Sequence, residues 1–207
     1  MGNNMKDGYA DSNRLSDKAL LIYNDFLHSG KFLTHLEKYR FILFWDKDIR
    51  LGKKFTNICK KINIPIYNNI RAIADCDDKS ATYEKIGQWN DCHDTLEQIK
   101  MIPTIVAPMT YENIGYTDMN FLDKVAEKFG FPLVIKECFG SFGMQVYMAH
   151  DMDELKKRVS DIGGKPMIFQ KFIEKSSGFD VRLQVVGDEV VAAMYRYTDD
   201  GDFRANI

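Results

Sequence analysis

The sequence predicts an α/β chain: parallel strands with crossover helices in its first part, and an α+β arrangement in its second. Three observations carry this. Short apolar runs alternate with stretches of helical spacing between residues 41 and 67. Further on, apolar strands flank a glycine-bearing loop over Glu137 to Gly143. Near the end, Gly187-Asp188 separates two strand-like runs as a two-residue turn does in an antiparallel hairpin.

Composition narrows the rest. The chain has 207 residues, room for one large domain or two small ones at ~150 residues each. An apolar fraction of 45% and an aromatic fraction of 13% exclude wholesale disorder. With 28 Lys plus Arg against 30 Asp plus Glu, the formal charge is −2, which gives neither nucleic acid nor a membrane surface a strong field to bind. Met1 to Lys18 is too polar for a signal peptide, and no run approaches the ~20 apolar residues of a membrane span, so a cytoplasmic location is expected. Cys59, Cys76, Cys92 and Cys138 stand singly, without a C-x-x-C pair. They read as reduced, buried structural thiols, and no metal ligands are expected within the chain.

Taken in order, residues 1–17 read as a flexible lead, Ala19 to Tyr23 as a strand, Lys31 to Lys38 as a helix and Phe41 to Trp45 as a second strand. Residues 49–62 suit a helix, with Leu51, Phe55, Ile58, Cys59 and Ile62 at spacings of three and four. Pro65 to Tyr67 is a third strand, and residues 70–100 a helical or irregular connecting layer. Thr117 or Asp118 is the expected cap of a helix with Leu122, Val125, Ala126 and Phe129 on one face, stopped by Gly130 and Pro132. Leu133 to Lys136 and Gln145 to Ala149 are strands around the glycine loop. Asp151 and Glu154 read as a capping pair for a helix ending at Gly163-Gly164, and Met167 to Ile173 as the next strand. In the hairpin, simple pairing from the turn sets Val186 opposite Glu189 and Arg182 opposite Ala193. That register places Val181, Leu183, Val185, Val190, Ala192 and Met194 on a core face, and Asp180, Arg182, Gln184 and Tyr195 on the other.

The chemistry concentrates in the second part. Lys136 ends an apolar strand and is followed by Gly140-Ser141-Phe142-Gly143. Glycines let backbone N–H groups approach phosphate oxygens, and a strand-borne lysine adds a fixed positive charge. The loop is neither a Walker loop nor a G-x-G-x-x-G fingerprint. After it come Gln170-Lys171-Phe172-Ile173, then Asp180-Val181-Arg182, the Val185 to Ala193 hairpin, and Asp202-Phe203-Arg204-Ala205-Asn206.

This ordered series resembles the ATP-grasp superfamily, most closely its RimK-type α-L-glutamate ligase branch, from about Asp77 to the last residue. The resemblance implies a reduced Rossmann-like pre-ATP-grasp domain over 18–76 and an ATP-grasp region over 77–207. Within that region, a small nucleotide-binding subdomain spans about 113–173, and 174–207 begins a C-terminal subdomain. It implies that ATP is bound by Lys136 and by the loop of Gly140, Ser141, Phe142 and Gly143. Lys171 and Phe172 would form the adenine hinge, with Gln170 and Ile173 beside them also binding the cofactor, and with Lys171 standing where the family usually has glutamate. Asp180 would receive the ribose hydroxyls and Arg196 would help neutralise phosphate. Lys79, from an Asp78-Lys79 pair, would reach the nucleotide from the other side. Arg204 and Asn206 would be the catalytic R-x-N pair beside the transferring phosphate.

The implied activity is ATP-dependent ligation of a carboxylate to an amine or thiol through an acyl phosphate, with Mg²⁺ as cofactor. The family's metal ligands follow the R-x-N segment, and this sequence stops at Ile207. The expectation is therefore a truncated, inactive chain that retains nucleotide contacts, with an uncovered sheet edge through which a homo-oligomer could form. The alternatives are a non-catalytic nucleotide-binding or partner module, and another ATP-grasp ligase branch with a different acceptor.

Overall fold

In the computed structural model the described residues are Leu36, 39–141, 143–199 and 201–205. The lead, the Ala19 to Tyr23 strand and, apart from Leu36, the Lys31 to Lys38 helix lie outside them. The chain divides into two compact units, one up to Ala74 and one from Asp75 onward.

In the first unit, β1 (Ile42–Leu43) and β2 (Ile66–Tyr67) pair in parallel, Ile42 opposite Ile66. The crossover between them is α1 (Ile49–Lys61), which Asp48 caps by accepting from the Leu51 N–H. The Asp46-Lys47-Asp48 run is thus a helix start, and β1 is shorter than the predicted Phe41 to Trp45. Phe55 and Cys59 face inward from α1 onto Leu36, Ile42, Phe44 and Ile64. Gly52 sits where a Cβ would lie 2.0 Å from Ile70 Cδ1, at the start of α2 (Ile70–Asp77). Only glycine permits that approach.

The second unit opens with α3 (Lys79–Asp91), capped by Asp78, whose Oδ1 accepts from the Ser80 and Ala81 N–H groups. A four-stranded antiparallel sheet follows: β3 (Thr104–Val106), β4 (Leu133–Glu137), β5 (Val146–Ala149) and β6 (Met167–Lys171), in the order β3-β6-β4-β5. Strand alternation gives the sheet two different faces. Leu133, Ile135, Met167 and Phe169 point to one, where they are fully buried with Leu122 and Val125 of α4 (Phe121–Phe129) and Leu155 and Val159 of α5 (Met152–Ile162). Val134, Lys136, Ile168 and Gln170 belong to the other.

Two caps differ from expectation. Helix α4 starts after Asn120, which makes no side-chain cap bond, and Asp118 instead accepts from the Asn120 N–H. Asp151 caps α5 through the Glu154 N–H, but the Glu154 carboxylate returns to the N–H of His150, one residue earlier than a capping box requires. The cysteine expectation also needs correcting. Cys59 and Cys138 are buried, whereas Cys76 and Cys92 are exposed.

The hairpin, β7 (Phe179–Val186) and β8 (Glu189–Tyr197), turns at Gly187 with φ 62°. Val186 faces Glu189 and Val185 faces Val190, but Gln184 faces Ala192, so Val191 is an extra bulged residue. Beyond it every pairing moves by one. Arg182 faces Met194, not Ala193; Tyr195 joins Val181; and Arg196 comes opposite Asp180. The expected core face is no core either: Val181, Leu183, Val185, Val190 and Met194 are all more than half exposed. Alternation dictates which residues share a face, not whether another layer covers it.

Candidate functional site

The face of the four-stranded sheet that carries Val134, Lys136 and Gln170 forms the floor of a cavity of about 430 Å³ in the second unit. Lys136 rises from it at the end of β4, next to the loop that β4 and β5 enclose. Opposite stands Lys79, one residue past the α3 cap. Its ammonium donates to the carbonyls of Cys138 (3.2 Å) and Gly140 (3.3 Å), and its N–H to the Cys138 carbonyl. Lys79 therefore ties the glycine loop to α3. Burial, and then the nearby Lys79 charge, push the Lys136 ammonium below the ordinary lysine range. Two cations brought together in a half-dry cleft favour an anion between them.

The loop is folded tightly. At Gly140 (φ 135°) a Cβ would fall 2.2 Å from Gln145 Oε1, because the Gln145 side chain lies across the glycine. That Oε1 is buried without a hydrogen-bond partner. Across the cavity, Arg204 clasps Asp202 (Nη2 to Oδ2 2.6 Å) and donates from Nη1 to the Gly143 carbonyl at 3.0 Å. Its hydrogen bonds hold the Asp202 carboxyl below the usual carboxylate range. Asp180 accepts from Arg196 Nε at 2.7 Å, and its second oxygen also meets that guanidinium. The Val191 bulge creates this pair, since unbroken register would set Tyr195 opposite Asp180.

At the far end, Phe172 and Phe203 meet edge-on with centroids 6.4 Å apart, beside Ile102, Val134 and Ile173. The Lys171 N–H is bonded to the Pro103 carbonyl at 3.1 Å, so it is already spent and cannot read a base edge. Every predicted site residue among the described ones reaches this cavity wall: Lys79, Lys136, Gly140, Ser141 and Gly143 at the loop end, Gln170 to Ile173 at the hinge, and Asp180, Arg196 and Arg204 beside the hairpin. Phe142 and Asn206 lie outside the described residues. The sequence reading missed Gln145, Val134 and Phe203. Strand alternation from Lys136 would have found Val134; no local signal marks the others.

The sheet's other face holds a second polar cluster with a structural reading. The Glu137 carboxylate accepts from Tyr147 Oη (2.9 Å) and Lys165 Nζ (3.2 Å), and Arg158 stacks over the Tyr147 ring. These contacts satisfy a nearly buried carboxylate at the rim of the helix-covered face.

A match to the RimK-like ATP-grasp domain covers residues 92–207, more than half of the chain. The chain belongs to the RimK-like ATP-grasp family. This family is one of ATP-dependent ligases. Its relatives include an uncharacterised Mycoplasma pneumoniae protein, a homolog of MG012, 30% identical over 168 residues, which are 80% of this chain and 54% of that one. A probable α-L-glutamate ligase of an Enterobacter species is 36% identical over 102 residues, 48% of this chain and 33% of that protein. The fold of this RimK-like chain is also that of N5-carboxyaminoimidazole synthetase from Staphylococcus aureus, solved with ADP. The TM-score is 0.52 at 15% identity, covering 73% of this chain and 36% of that one. The chain thus spans about half or less of the length of these relatives.

Proposed function

We propose that the Asp75–Ile207 unit holds ATP in this cavity, phosphates against Lys136 and Lys79 beneath the glycine loop, base against Val134, Phe172 and Ile173. In this reading the unit is the nucleotide-holding part of an ATP-dependent ligase that joins a carboxylate to an amine or thiol. The carboxylate oxygen attacks the γ-phosphorus, ADP leaves, and the amine or thiol then displaces phosphate from the acyl phosphate. One observation carries the reading: two ammoniums and the Arg204 guanidinium line one cavity over one face of the four-stranded sheet. Its volume lies in the range of small-molecule sites.

The residues divide the work by chemistry. Lys136 supplies the charge that a phosphate would compensate, and Lys79 holds the Cys138 and Gly140 carbonyls and so fixes the start of the loop. Asp180, oriented by Arg196, keeps acceptor capacity for ribose hydroxyls, because each carboxylate oxygen has a second lone pair. Arg204 is placed to exchange its Gly143 contact for a phosphate oxygen. Among the described residues no three acidic, histidine or cysteine side chains converge. No helix of the described residues is long and apolar enough to cross a membrane. A cytoplasmic setting belongs to the same proposal, supported by four free thiols. A second reading, a nucleotide-binding module that works by docking on a partner, draws on the exposed apolar residues of the hairpin.

Thermal unfolding with and without ATP tests the proposal. At 100 times the dissociation constant, ATP should stabilise the chain by about 2.7 kcal/mol. An unchanged midpoint at millimolar ATP would rule the nucleotide site out.

Binding should also depend on pH. Phosphate oxygens favour the charged lysine, so the Lys136 pKa is higher in the complex than in the free chain, where burial and Lys79 hold it below 10.5. Affinity is full while the free ammonium stays protonated, and it falls as pH rises through the depressed free value. Between the free and bound values, ATP binding takes up a proton. Calorimetric titrations in two buffers of different ionisation enthalpy should register that uptake in the window between the free and bound values, and the Lys136→Ala variant should lack it.

A further inference from the structure

Gln145 stands immediately before β5, and its backbone is fixed there, because the Glu137 N–H donates to its carbonyl at 3.1 Å. Strict alternation from that pairing would send its side chain to the helix-covered face, with Glu137 and Tyr147. Instead the side chain lies across Gly140, and the residue lines the cavity. Gly140 makes this possible. Having φ 135° and no Cβ, it leaves the room that the carboxamide fills; a Cβ there would meet Gln145 Oε1 at 2.2 Å, Cδ at 2.6 Å and Cγ at 3.0 Å.

The two ends of the carboxamide differ. Only Oε1 is closed off, pressed towards the glycine and without a donor. Nε2 carries two N–H bonds, and among the described residues no acceptor meets it. Its surroundings are the cationic end of the cavity. Lys136 lies opposite Val146, the residue next to Gln145, and the Lys79 ammonium holds the carbonyl of the same Gly140. The one acidic side chain among the described lining residues, Asp180, is paired with Arg196 at the hairpin. Two ammoniums and an amide donor on one stretch of wall suit a group with several acceptor oxygens, which a phosphate is.

We propose that Gln145 is a further phosphate-contacting residue of this chain, its Nε2 donating to an oxygen of the phosphate that Lys136 neutralises. The inference rests on the nucleotide-binding reading above and adds to it a neutral donor that lies outside the ordered motifs. The two side chains do different work. An ammonium attracts a phosphate in any orientation, whereas an amide N–H is directional and decides which oxygen turns towards the loop.

Calorimetric binding of ATP and of adenosine to the full chain tests this, with thermal unfolding as the check on folding. Gln145→Met keeps the length of the side chain and removes both polar atoms. It should weaken ATP binding by about tenfold, as for one hydrogen bond to a charged group, and leave adenosine, which has no phosphate, within about twofold. Its unfolding midpoint should not fall, because Oε1 has no donor to lose. Gln145→Glu sets a carboxylate against the phosphate and should weaken ATP by about a hundredfold or more, again sparing adenosine. ATP affinity of Gln145→Met within about twofold of wild type overturns the inference. So does an equal loss for adenosine, which marks a role in shaping the loop. If Gln145→Met does not fold, Gln145→Glu decides alone, and ATP affinity no weaker than wild type overturns the inference. Wild type that binds no ATP removes the nucleotide site itself, and this inference with it.

Discussion

Lys136→Ala should weaken ATP binding by about a hundredfold, on the order of 2.7 kcal/mol, while leaving the free chain at least as stable as before. The two halves of this expectation have one cause. In the free chain the Lys136 ammonium is disfavoured, first by burial and then by Lys79, so its removal relieves a cost. In the complex, the same desolvation strengthens its attraction to phosphate, because little water screens the pair. A merely structural lysine would show the reverse, with lost stability and unaltered binding. Calorimetry for affinity and thermal unfolding for stability separate the two outcomes. ATP binding within about threefold of wild type would remove Lys136 from the site.

Phe169→Ala should destabilise the chain by about 3–5 kcal/mol and lower the unfolding midpoint of the second unit by about 10 °C or more. Phe169 is fully buried on the helix-covered side of β6, with its ring 6.2 Å from that of Phe121. Truncation leaves a cavity between sheet and helices that rigid strands on both sides cannot collapse to fill. The contrast lies two residues before the hairpin turn. Val185 is 60% exposed, so Val185→Ala should change stability by no more than about 0.5 kcal/mol. Denaturant unfolding of both variants checks the pair. Similar losses would mean that the hairpin, not the four-stranded sheet, carries the fold's stability.

The sequence was informative where one local rule governs. Periodic spacing placed α1 and α4 with their buried Phe55, Cys59, Leu122 and Val125 facing the right way, because helix periodicity needs no knowledge of the partner. Gly130 and Gly163 end their helices at φ 66° and 68°, a conformation that side chains disfavour wherever it occurs. The hairpin turn was legible for the same reason. Its bulge was not. Val191 resembles its neighbours in type, and an added residue shows only when two strands must match across the ladder. That one residue moved Arg196 opposite Asp180 and turned an expected polar strip into an ion pair. Cys76 and Cys92 misled similarly: a thiol's burial depends on what packs over it, which residue type does not state.

By itself, then, the sequence determined most of the order of strands, helices and glycine loops, though not β3, and with it the ATP-grasp family. Each of these rests on neighbours within a few positions or on motifs read in order along the chain. The tertiary structure alone decided how the cavity residues are held. Lys79 reaches the Gly140 carbonyl across 61 positions, Arg204 reaches the Gly143 carbonyl across 61, and Thr104 orients Gln170 across 66. Hydrogen bonds over such separations depend on where the strands bring distant backbone together, and no local pattern encodes that geometry.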